Sequence, residues 1–416
     1  MKLIVPNYYK QFRCTADQCK DSCCIGWEID IDQDTYEYYT KVQGSLGEKL
    51  KAQMVVSDDM HCFQLTSQQR CPFLNHKNLC EIVLGLGEEA LGEICTEYPR
   101  FVIEYGDIRE KSLALSCEEV GRLIFENQDK TQFLLCAGRE CRQPNGEKEA
   151  EETEPEGSAV EQIYDWHIKE YPKVCLEEDE SEEMAFEASQ IILLQQIQTT
   201  TIGILEEREI PVLKRQQLYL DFLKKIQEYF NQCQWNEARQ LITRYQGKAL
   251  FERYGEMDWN ALAEARNQNA WERIKERCEI LKGMELLDEE WEKQQQKLED
   301  YICSGNGQQY LAQMQQLYSL EPEKREIEYE KLMVYFTFRY FMKAVYDGNI
   351  YSKGVLSIFC CEVMDDLKMI RFLDQKNCFS TEDQIDLTRI FSKEVEHSED
   401  NLEYLEEEVL FGETGI

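Results

Sequence analysis

Four cysteines within eleven residues, in the stretch CTADQCKDSCC (residues 14–24), restrict how this chain can fold more than any other feature. Clustered cysteines form disulfides, pack as small apolar side chains or bind metals. The N-terminal segment MKLIVPNYYKQF has too few consecutive apolar residues for a secretory signal. We therefore expect a cytoplasmic protein with reduced thiols, in which metal binding is favoured over a disulfide framework.

The cysteines are unevenly distributed, because eleven of the 18 lie between Cys14 and Cys141. This asymmetry predicts a cysteine-rich metal-binding N-terminal module over residues 1–141. Residues 142–183 are rich in Glu and poor in apolar side chains, so we expect an acidic linker or mobile loop there. Residues 184–416 form the predicted helical C-terminal domain. The predicted fold class is mainly α, with a few short strands in the module, such as RFVIEYGDI and IREKSLALS.

The C-terminal domain carries clear helical patterns. In VLKRQQLYLDFLKKIQEYF, the residues Leu218, Phe222, Ile226 and Tyr229 recur at three- and four-residue intervals and predict one buried helix face. The segment EKLMVYFTFRYFMKAVYDG is apolar nearly all round and is our candidate for the central buried helix. The start of STEDQIDLTRIFSKEV has the signature of a helix N-cap.

The charge of the chain limits its partners. The formal net charge is −35, which repels phosphate backbones and anionic lipids, so we expect neither nucleic acid nor a membrane as partner. No apolar run approaches the roughly 20 residues of a membrane helix. A surface this acidic suits a lysine-rich partner, although it also serves solubility alone.

The cysteine spacing favours an all-thiolate metal site. The N-terminal cysteines follow the pattern C-x4-C-x3-C-C and then C-x8-C, and the whole chain has only four His residues. Thiolates are preferred ligands of zinc and of iron–sulfur clusters, and the absence of C-x2-C knuckles favours a [4Fe–4S] cluster, with zinc as the alternative. The C-x3-C-x2-C motif of enzymes that cleave S-adenosylmethionine by radical chemistry is broken, because Gly26 stands where its third cysteine would be.

The remaining cysteines are interpreted as structural. A free cysteine often packs as a small buried apolar residue. We expect this role for the cysteines in helical surroundings, which are Cys175, Cys233, Cys278, Cys303 and Cys378, and also for the adjacent pair Cys360 and Cys361.

Three stretches resemble the flagellin lysine-N-methylase family: FRCTADQCKDSCCIGWEIDID, CPFLNHKNLCEIVLGLGEEALGEICTEYPRF and LALSCEE, in this order and spacing. They fall within roughly the first 125 residues and also resemble, more loosely, small zinc- or iron-chelating proteins. The resemblance implies transfer of a methyl group from S-adenosylmethionine to lysine ε-amines of flagellin. It also implies the metal ligands, which by position are Cys14, Cys19, Cys23, Cys24, Cys71, Cys80, Cys95 and Cys117.

Five further residues are candidates for binding or catalysis near these cysteines. Trp27 and Tyr98 offer aromatic walls for a cationic lysine, and Arg100 offers a partner for the cofactor carboxylate. Glu118 or Glu119 could orient the attacking amine. Core packing of the aromatic rings and a surface ion pair of Arg100 are the competing interpretations. No G-x-G-x-G loop follows a strand, so any S-adenosylmethionine site is not of the common Rossmann type.

Two other functions remain open at this point. The chain could be a non-catalytic, metal-stabilised protein that binds flagellin or another partner. It could also be a redox protein whose iron–sulfur cluster transfers or senses electrons. Cofactor binding would separate the enzyme from the binding protein, and a reversible redox change would favour the third function.

Overall fold

A computed structural model describes residues 2–26, 29–57, 60–137, 162–163 and 182–411. The chain is mainly helical with a few short strands, as predicted. Nearly all of the predicted linker over 142–183 lies outside the described residues. None of the helices within the described ranges is both long and apolar enough to cross a membrane.

The strands of the described residues form two sheets. They are β1 (Lys2–Pro6), β2 (Asp30–Ile31), β3 (Met54–Ser57), β4 (Met60–Phe63), β5 (Arg100–Tyr105), β6 (Ile108–Leu113), β7 (Phe133–Ala137) and β8 (Gln162–Ile163). The larger sheet has the order β5-β6-β1-β7-β8, and the smaller one has the order β2-β4-β3. Strand β1 runs parallel to β6 and antiparallel to β7. The β5–β6 hairpin confirms the two strands predicted in RFVIEYGDI and IREKSLALS.

Among the described residues of the N-terminal part there are five short α-helices. They are α1 (Gln33–Lys41), α2 (Gly44–Gln53), α3 (Glu81–Leu86), α4 (Glu93–Glu97) and α5 (Glu118–Phe125). Helix α1 begins after Asp32, whose carboxylate accepts a hydrogen bond of 2.9 Å from the Thr35 amide and so satisfies one of the first free N–H groups. Cys80 and Cys117 occupy the N-cap positions of α3 and α5.

The helical domain follows. Its helices are α6 (Glu182–Leu205), α7 (Val212–Asn231), α8 (Trp235–Arg244), α9 (Gly247–Glu256), α10 (Trp259–Lys282), α11 (Glu289–Ser304), α12 (Gly307–Ser319), α13 (Pro322–Tyr340), α14 (Ala344–Asp347), α15 (Ile350–Asp374), α16 (Thr381–Glu396) and α17 (Glu399–Phe411). The predicted cap is confirmed, because Ser380 and Asp383 form a reciprocal capping box at the start of α16. The predicted face of α7 is also confirmed, with Leu218, Phe222 and Ile226 fully buried and Tyr229 partly buried against the same core.

Two hydrophobic cores hold the molecule together. The small core contains nine buried residues between Ile29 and Ala90, contributed by β2, β4, α1, α2, α3 and the segments between these elements. The large core joins the larger sheet and α5 to the helices of the C-terminal domain. Val5 of β1 and Phe133 of β7 therefore pack in the same core as the helices α13 and α15. The first strand of the chain is thus part of the scaffold of the helical domain.

Helix α15, rather than the predicted segment at 330–348, is the central helix. The predicted segment is buried in α13, but it breaks after Tyr340 and only a short helix, α14, follows. Helix α15 contacts α7, α10, α11, α12, α13, α16 and α17. The burial predicted for this segment is confirmed over residues 330–338, whereas α15 has more helix neighbours and buries its charged residues as ion pairs: Arg277 of α10 contacts Glu362 at 2.6 Å and Asp366 at 2.7 Å.

The cysteines outside the module divide between interior and surface. Cys278, Cys360 and Cys361 are buried, as predicted, whereas Cys175 lies outside the described residues. The expectation of burial is wrong for Cys233, Cys303 and Cys378, which are exposed. These three lie at or just beyond helix ends, where the packed helix face no longer covers them. Cys136 on β7 is disulfide-bonded, an exception to the expectation of reduced thiols.

Candidate functional site

Four of the eight predicted metal ligands form what we call the buried set: Cys24, Cys71, Cys80 and Cys95. The amide of Cys71 donates a 2.7 Å hydrogen bond to the carbonyl of Cys24, and Leu74 pairs with Cys80 in an antiparallel bridge. Cys71 belongs to the small core, and the other three pack against it. The thiol of Cys95 lies within electrostatic range of the other three sulfurs. The fold therefore gathers cysteines that are up to 71 positions apart.

The other four ligands form what we call the boundary set: Cys14, Cys19, Cys23 and Cys117. Cys117 lies within electrostatic range of Cys19 and Cys14, and Cys14 lies within range of Cys23. Cys14 and Cys23 are exposed, unlike the members of the buried set. The amide of Lys20 donates a 3.1 Å hydrogen bond to Glu118, which ties the first cysteine loop to the start of α5.

The adjacent residues Cys23 and Cys24 connect the two sets. A hydrogen bond between their side chains raises the pKa of Cys23 and lowers the pKa of Cys24 to about 7. Cys23 also lies within electrostatic range of Cys95 as well as Cys14, so the sets adjoin one another. The junction between the sets is therefore a single peptide unit.

Backbone amides are directed at several of the sulfurs. Amides two or three residues later in the chain donate to the sulfur in each case: Ala16 to Cys14, Asp21 to Cys19, Phe73 and Leu74 to Cys71, Ile82 and Val83 to Cys80, and Glu119 and Val120 to Cys117. Such donors stabilise a thiolate far more than a neutral thiol, and the N-terminal end of a helix acts in the same direction. The local backbone is therefore arranged for sulfurs that carry negative charge.

Burial opposes that charge. It raises the pKa of Cys71, Cys95 and Cys117 to about 12 and that of Cys19 to about 11, and neighbouring sulfurs add like-charge repulsion. A bound cation removes this conflict, because thiolates ligate zinc and iron–sulfur clusters in their deprotonated form. The residue types are those of thiolate ligands, but in the described ranges no three Cys, His, Asp or Glu side chains lie close enough together to hold a metal ion.

Tyr98 adjoins the boundary set and takes part in a small polar cluster. Its hydroxyl shares a 3.2 Å hydrogen bond with Ser116, and Nε2 of His397 lies 2.9 Å from the same Ser116 hydroxyl. The rings of Tyr98 and His397 meet edge to face with centroids 5.8 Å apart. Burial lowers the pKa of His397 to about 4 and raises the pKa of Tyr98, which is also raised by Cys117. Both groups are therefore neutral near pH 7.

The other predicted candidates occupy different surroundings. Glu118 is buried and accepts a hydrogen bond from Arg122, which also pairs with the more exposed Glu119. Arg100 donates to the carbonyl of Thr96 at 3.0 Å and lies 5.6 Å from the ring centroid of Phe12. Glu118 and Tyr98 thus adjoin the boundary set, and Glu119 contacts it through its backbone amide. Trp27 lies outside the described residues.

Two basic residues of α16 next to the first cysteine loop escaped the sequence analysis. Arg389 contacts Asp21 at 2.6 Å, and Lys393 contacts the same carboxylate oxygen at 3.3 Å. Both cations are largely buried, and each has a second acidic partner: Glu290 for Arg389 and Asp288 for Lys393. No local signal could have revealed this contact, because Asp21 and Arg389 are 368 positions apart.

Comparisons with known proteins found similar curated proteins and one matching protein family. A Lysine-N-methylase from Salmonella typhimurium (strain LT2) is 27% identical over 130 residues, which is 30% of this chain and 32% of that protein. The Flagellar biosynthetic protein FliU of Salmonella muenchen is also 27% identical over 130 residues, covering 77% of its length. This chain thus spans about a third of the length of the curated lysine-N-methylases that it matches. No solved structure is significantly similar to it.

The helical domain carries the family assignment. Residues 198–415, more than half of the chain, match the family described as the FliB lysine N-methylase C-terminal domain. This range includes α16 and the two basic residues that contact the cysteine loop. Together with the similarity to the lysine-N-methylases, this match shows that the chain belongs to the FliB lysine N-methylase family.

Proposed function

We propose that this protein is an S-adenosylmethionine-dependent lysine N-methyltransferase that acts on flagellin in the cytoplasm and contains a cysteine-ligated metal centre. The match of residues 198–415 to the FliB lysine N-methylase family carries the proposal. Lysine as the target is supported by the name Lysine-N-methylase, and a flagellar substrate is supported by the name of the relative FliU. The acidic charge of −35 favours approach of a lysine-bearing substrate and predicts that rising salt weakens it.

Methyl transfer requires residues around the substrate that favour the neutral, deprotonated lysine amine. The lysine ε-ammonium loses a proton, its nitrogen attacks the methyl carbon, and the carbon–sulfur bond breaks to leave S-adenosylhomocysteine. Glu118 is a buried carboxylate beside the first cysteine loop and is held by Arg122 and the Lys20 amide. His397 has a pKa of about 4, so it orients the Ser116 hydroxyl rather than storing the proton of the amine.

The metal would be held by the cysteines of the module. When bound, a [4Fe–4S] cluster supplies Lewis-acid or redox chemistry, whereas zinc supplies Lewis-acid chemistry alone. The residues of this chain contribute the amide donors to sulfur and the buried cations Arg389 and Lys393 beside the first cysteine loop. Arg100 stays a candidate partner for the carboxylate of S-adenosylmethionine.

The test is intact-mass analysis of the matching flagellin after incubation with anaerobically purified protein and S-adenosylmethionine. We expect mass gains in whole methyl units, which peptide mapping then assigns to lysines. Omission of S-adenosylmethionine should abolish the gain.

Two cysteine variants make the result specific. Cys19→Ala should lower metal content and methyl transfer, whereas Cys278→Ala changes a buried cysteine of the helical domain and should leave both unchanged. A metal-loaded protein that transfers no methyl group would contradict the proposal and favour a binding or electron-transfer function. Equal metal content in both variants would contradict the assignment of Cys19 as a metal ligand. The measured methyl transfer would still test the proposed enzyme activity.

A further inference from the structure

We propose that Tyr335 and His397 of the helical domain are positioning residues for methyl transfer, because they hold residues 114–117, which we call the connecting segment. This segment joins β6 to α5. The inference rests on the proposed function and goes beyond it, since it gives two residues of the family-matched range a role in the reaction. Both residues act through the connecting segment and need not touch flagellin or S-adenosylmethionine.

The connecting segment supports several groups around the boundary set. The Ser116 hydroxyl shares a hydrogen bond of 3.2 Å with Tyr98, and Cys117 is a predicted ligand at the N-cap of α5. The next residue, Glu118, accepts the Lys20 amide and so holds the first cysteine loop. A shift of the connecting segment would therefore displace the candidate residues and the loop together.

The first attachment of the segment is made by Tyr335 on α13. Its hydroxyl accepts a hydrogen bond of 3.1 Å from the Leu115 amide and donates to the Glu396 carboxylate, whose two oxygens both lie 2.9 Å away. The carboxylate also accepts the Ser392 hydroxyl at 2.8 Å, and Nε of Arg339 lies 3.2 Å from it. Tyr335 is buried, so loss of its hydroxyl would leave a buried amide without this acceptor.

The second attachment is made by His397 at the end of α16. Its Nε2 lies 2.9 Å from the Ser116 hydroxyl. Two consecutive residues of the connecting segment, Leu115 and Ser116, are thus tied to two consecutive residues of α16, Glu396 and His397. The first tie passes through the Tyr335 hydroxyl, and the second is direct. Two attachments at neighbouring residues restrict rotation of the segment as well as its displacement.

The polar character of this network indicates a role beyond core packing. The Glu396 side chain is 1% exposed, and a buried carboxylate is costly unless it is paired and hydrogen-bonded. Its cation, Arg339, also stacks over the ring of Phe101 on β5 at 3.5 Å, and β5 begins two residues after Tyr98. A fully bonded buried network fixes one geometry more narrowly than apolar contacts do. We therefore assign the network to the placement of the connecting segment and Tyr98.

The first part of the test compares Tyr335→Phe with Tyr329→Phe in the full-length protein. Both tyrosines are buried on α13, but within the described residues the Tyr329 hydroxyl has no hydrogen-bond partner. Hydrogen–deuterium exchange with mass spectrometry should show about tenfold faster exchange of residues 114–117 in Tyr335→Phe, because the Leu115 amide loses its acceptor. Tyr329→Phe should exchange like wild type there, and α15 should keep its protection in both variants.

The second part measures methyl transfer to the matching flagellin. Tyr335→Phe should lower kcat by about 10- to 100-fold without a change in the KM for flagellin, because misplaced groups slow the chemical step. Tyr329→Phe should change neither constant. His397→Gln keeps a side-chain amide for Ser116 and should retain most of kcat, whereas His397→Leu should lose about as much as Tyr335→Phe. Urea midpoints measured alongside separate loss of folded protein from loss of rate.

The outcomes distinguish this inference from the proposed function. Wild-type exchange of the connecting segment in Tyr335→Phe would overturn the inference, and so would an unchanged kcat despite faster exchange. An equal loss of kcat in Tyr329→Phe would also overturn it. Wild type that transfers no methyl group to flagellin would overturn the proposed function, and the exchange comparison would then still decide whether Tyr335 holds the connecting segment.

Discussion

The cysteine module and the helical domain differ in the size of the hydrophobic core that stabilises each of them. The small core of the module has nine buried residues, one of which is Cys71, and Cys24, Cys80 and Cys95 pack against it. The helical domain has a far larger core, and its central helix α15 buries charged residues such as Glu362 and Asp366 in ion pairs. A core as small as that of the module generally needs a metal or a disulfide to be stable, whereas a large core can absorb the cost of buried charges.

The largest expected difference between the two regions is in their response to metal removal. Chelation under anaerobic, non-denaturing conditions should unfold the small core, because its few apolar contacts cannot offset the chain entropy without the metal. Hydrogen–deuterium exchange with mass spectrometry should show fast exchange over residues 29–95 and unchanged protection over α15. Unchanged protection in the module after complete metal loss would contradict this dependence.

A break in the buried ion pairs should have the next largest effect. The variant Arg277→Met leaves Glu362 and Asp366 without their main cation, so the free energy of unfolding should fall by about 3–5 kcal/mol. Urea denaturation followed by far-ultraviolet circular dichroism measures this change. Lys275→Met removes an exposed pair with Glu272 on the same helix and should cost about 0.5 kcal/mol or less. Equal losses in both variants would contradict the special role of the buried pair.

A buried carboxyl of the larger sheet makes stability depend on pH. Glu110 of β6 accepts hydrogen bonds from Tyr105 and Gln198, and burial raises its pKa to about 7. Between roughly pH 4.3 and 7, the folded protein keeps a proton that the unfolded chain releases, so this group lowers the free energy of unfolding by about 1.4 kcal/mol per pH unit as pH rises.

The variant Glu110→Gln tests this pH dependence, because glutamine does not ionise. Relative to wild type, the variant should become more stable by up to about 3 kcal/mol between pH 4 and pH 8, as judged from the same linkage. Urea denaturation at several pH values measures the difference. A difference that is independent of pH would show that Glu110 ionises equally in both states.

The contact between the two regions should have a moderate effect. Asp21→Asn removes the charge that Arg389 and Lys393 share, and loss of charge-assisted hydrogen bonds should cost about 1.5–3 kcal/mol. Asp17→Asn, at an exposed position earlier in the same loop, should have little effect. Thermal unfolding of both variants gives the comparison. Identical transitions would mean that the Asp21 contact does not hold the loop on α16.

The smallest effect is expected from the residue next to Asp21. Lys20 pairs with Glu382 at 2.9 Å, but both side chains are more than half exposed. Lys20→Ala should therefore cost about 0.5 kcal/mol or less, and added salt should remove even that difference. Denaturation at low and high ionic strength checks this. A loss comparable to that of Asp21→Asn would indicate that exposure does not distinguish the two contacts.

Local features of the sequence were the ones that could be predicted. The capping box at Ser380 and the buried face of α7 depend on residues three or four positions apart, and the β5–β6 hairpin depends on neighbouring strands. The uneven distribution of cysteines likewise predicts a module over residues 1–141, and its bounds stay a prediction. Each of these patterns involves residues close together in the sequence, so it can be recognised without knowledge of the fold.

Contacts between distant segments could not be predicted. The burial of Glu362 on α15 depends on Arg277 of α10, because a buried charge needs a partner that only the packing of another helix supplies. The exposure of Cys303 depends on where its helix leaves the core. The division of the cysteines depends on the Cys24–Cys71 and Lys20–Glu118 hydrogen bonds, which span 47 and 98 positions.

The sequence by itself determined helices of the C-terminal domain, the clustering of cysteines in the N-terminal part and a resemblance to the lysine-N-methylase family. The tertiary structure alone decided which sulfurs share surroundings and that Arg389 and Lys393 of α16 meet the loop through Asp21. The reason is physical. Periodicity and capping are properties of a short segment, whereas a cluster of sulfurs and cations forms only when the packing of both cores brings distant segments together.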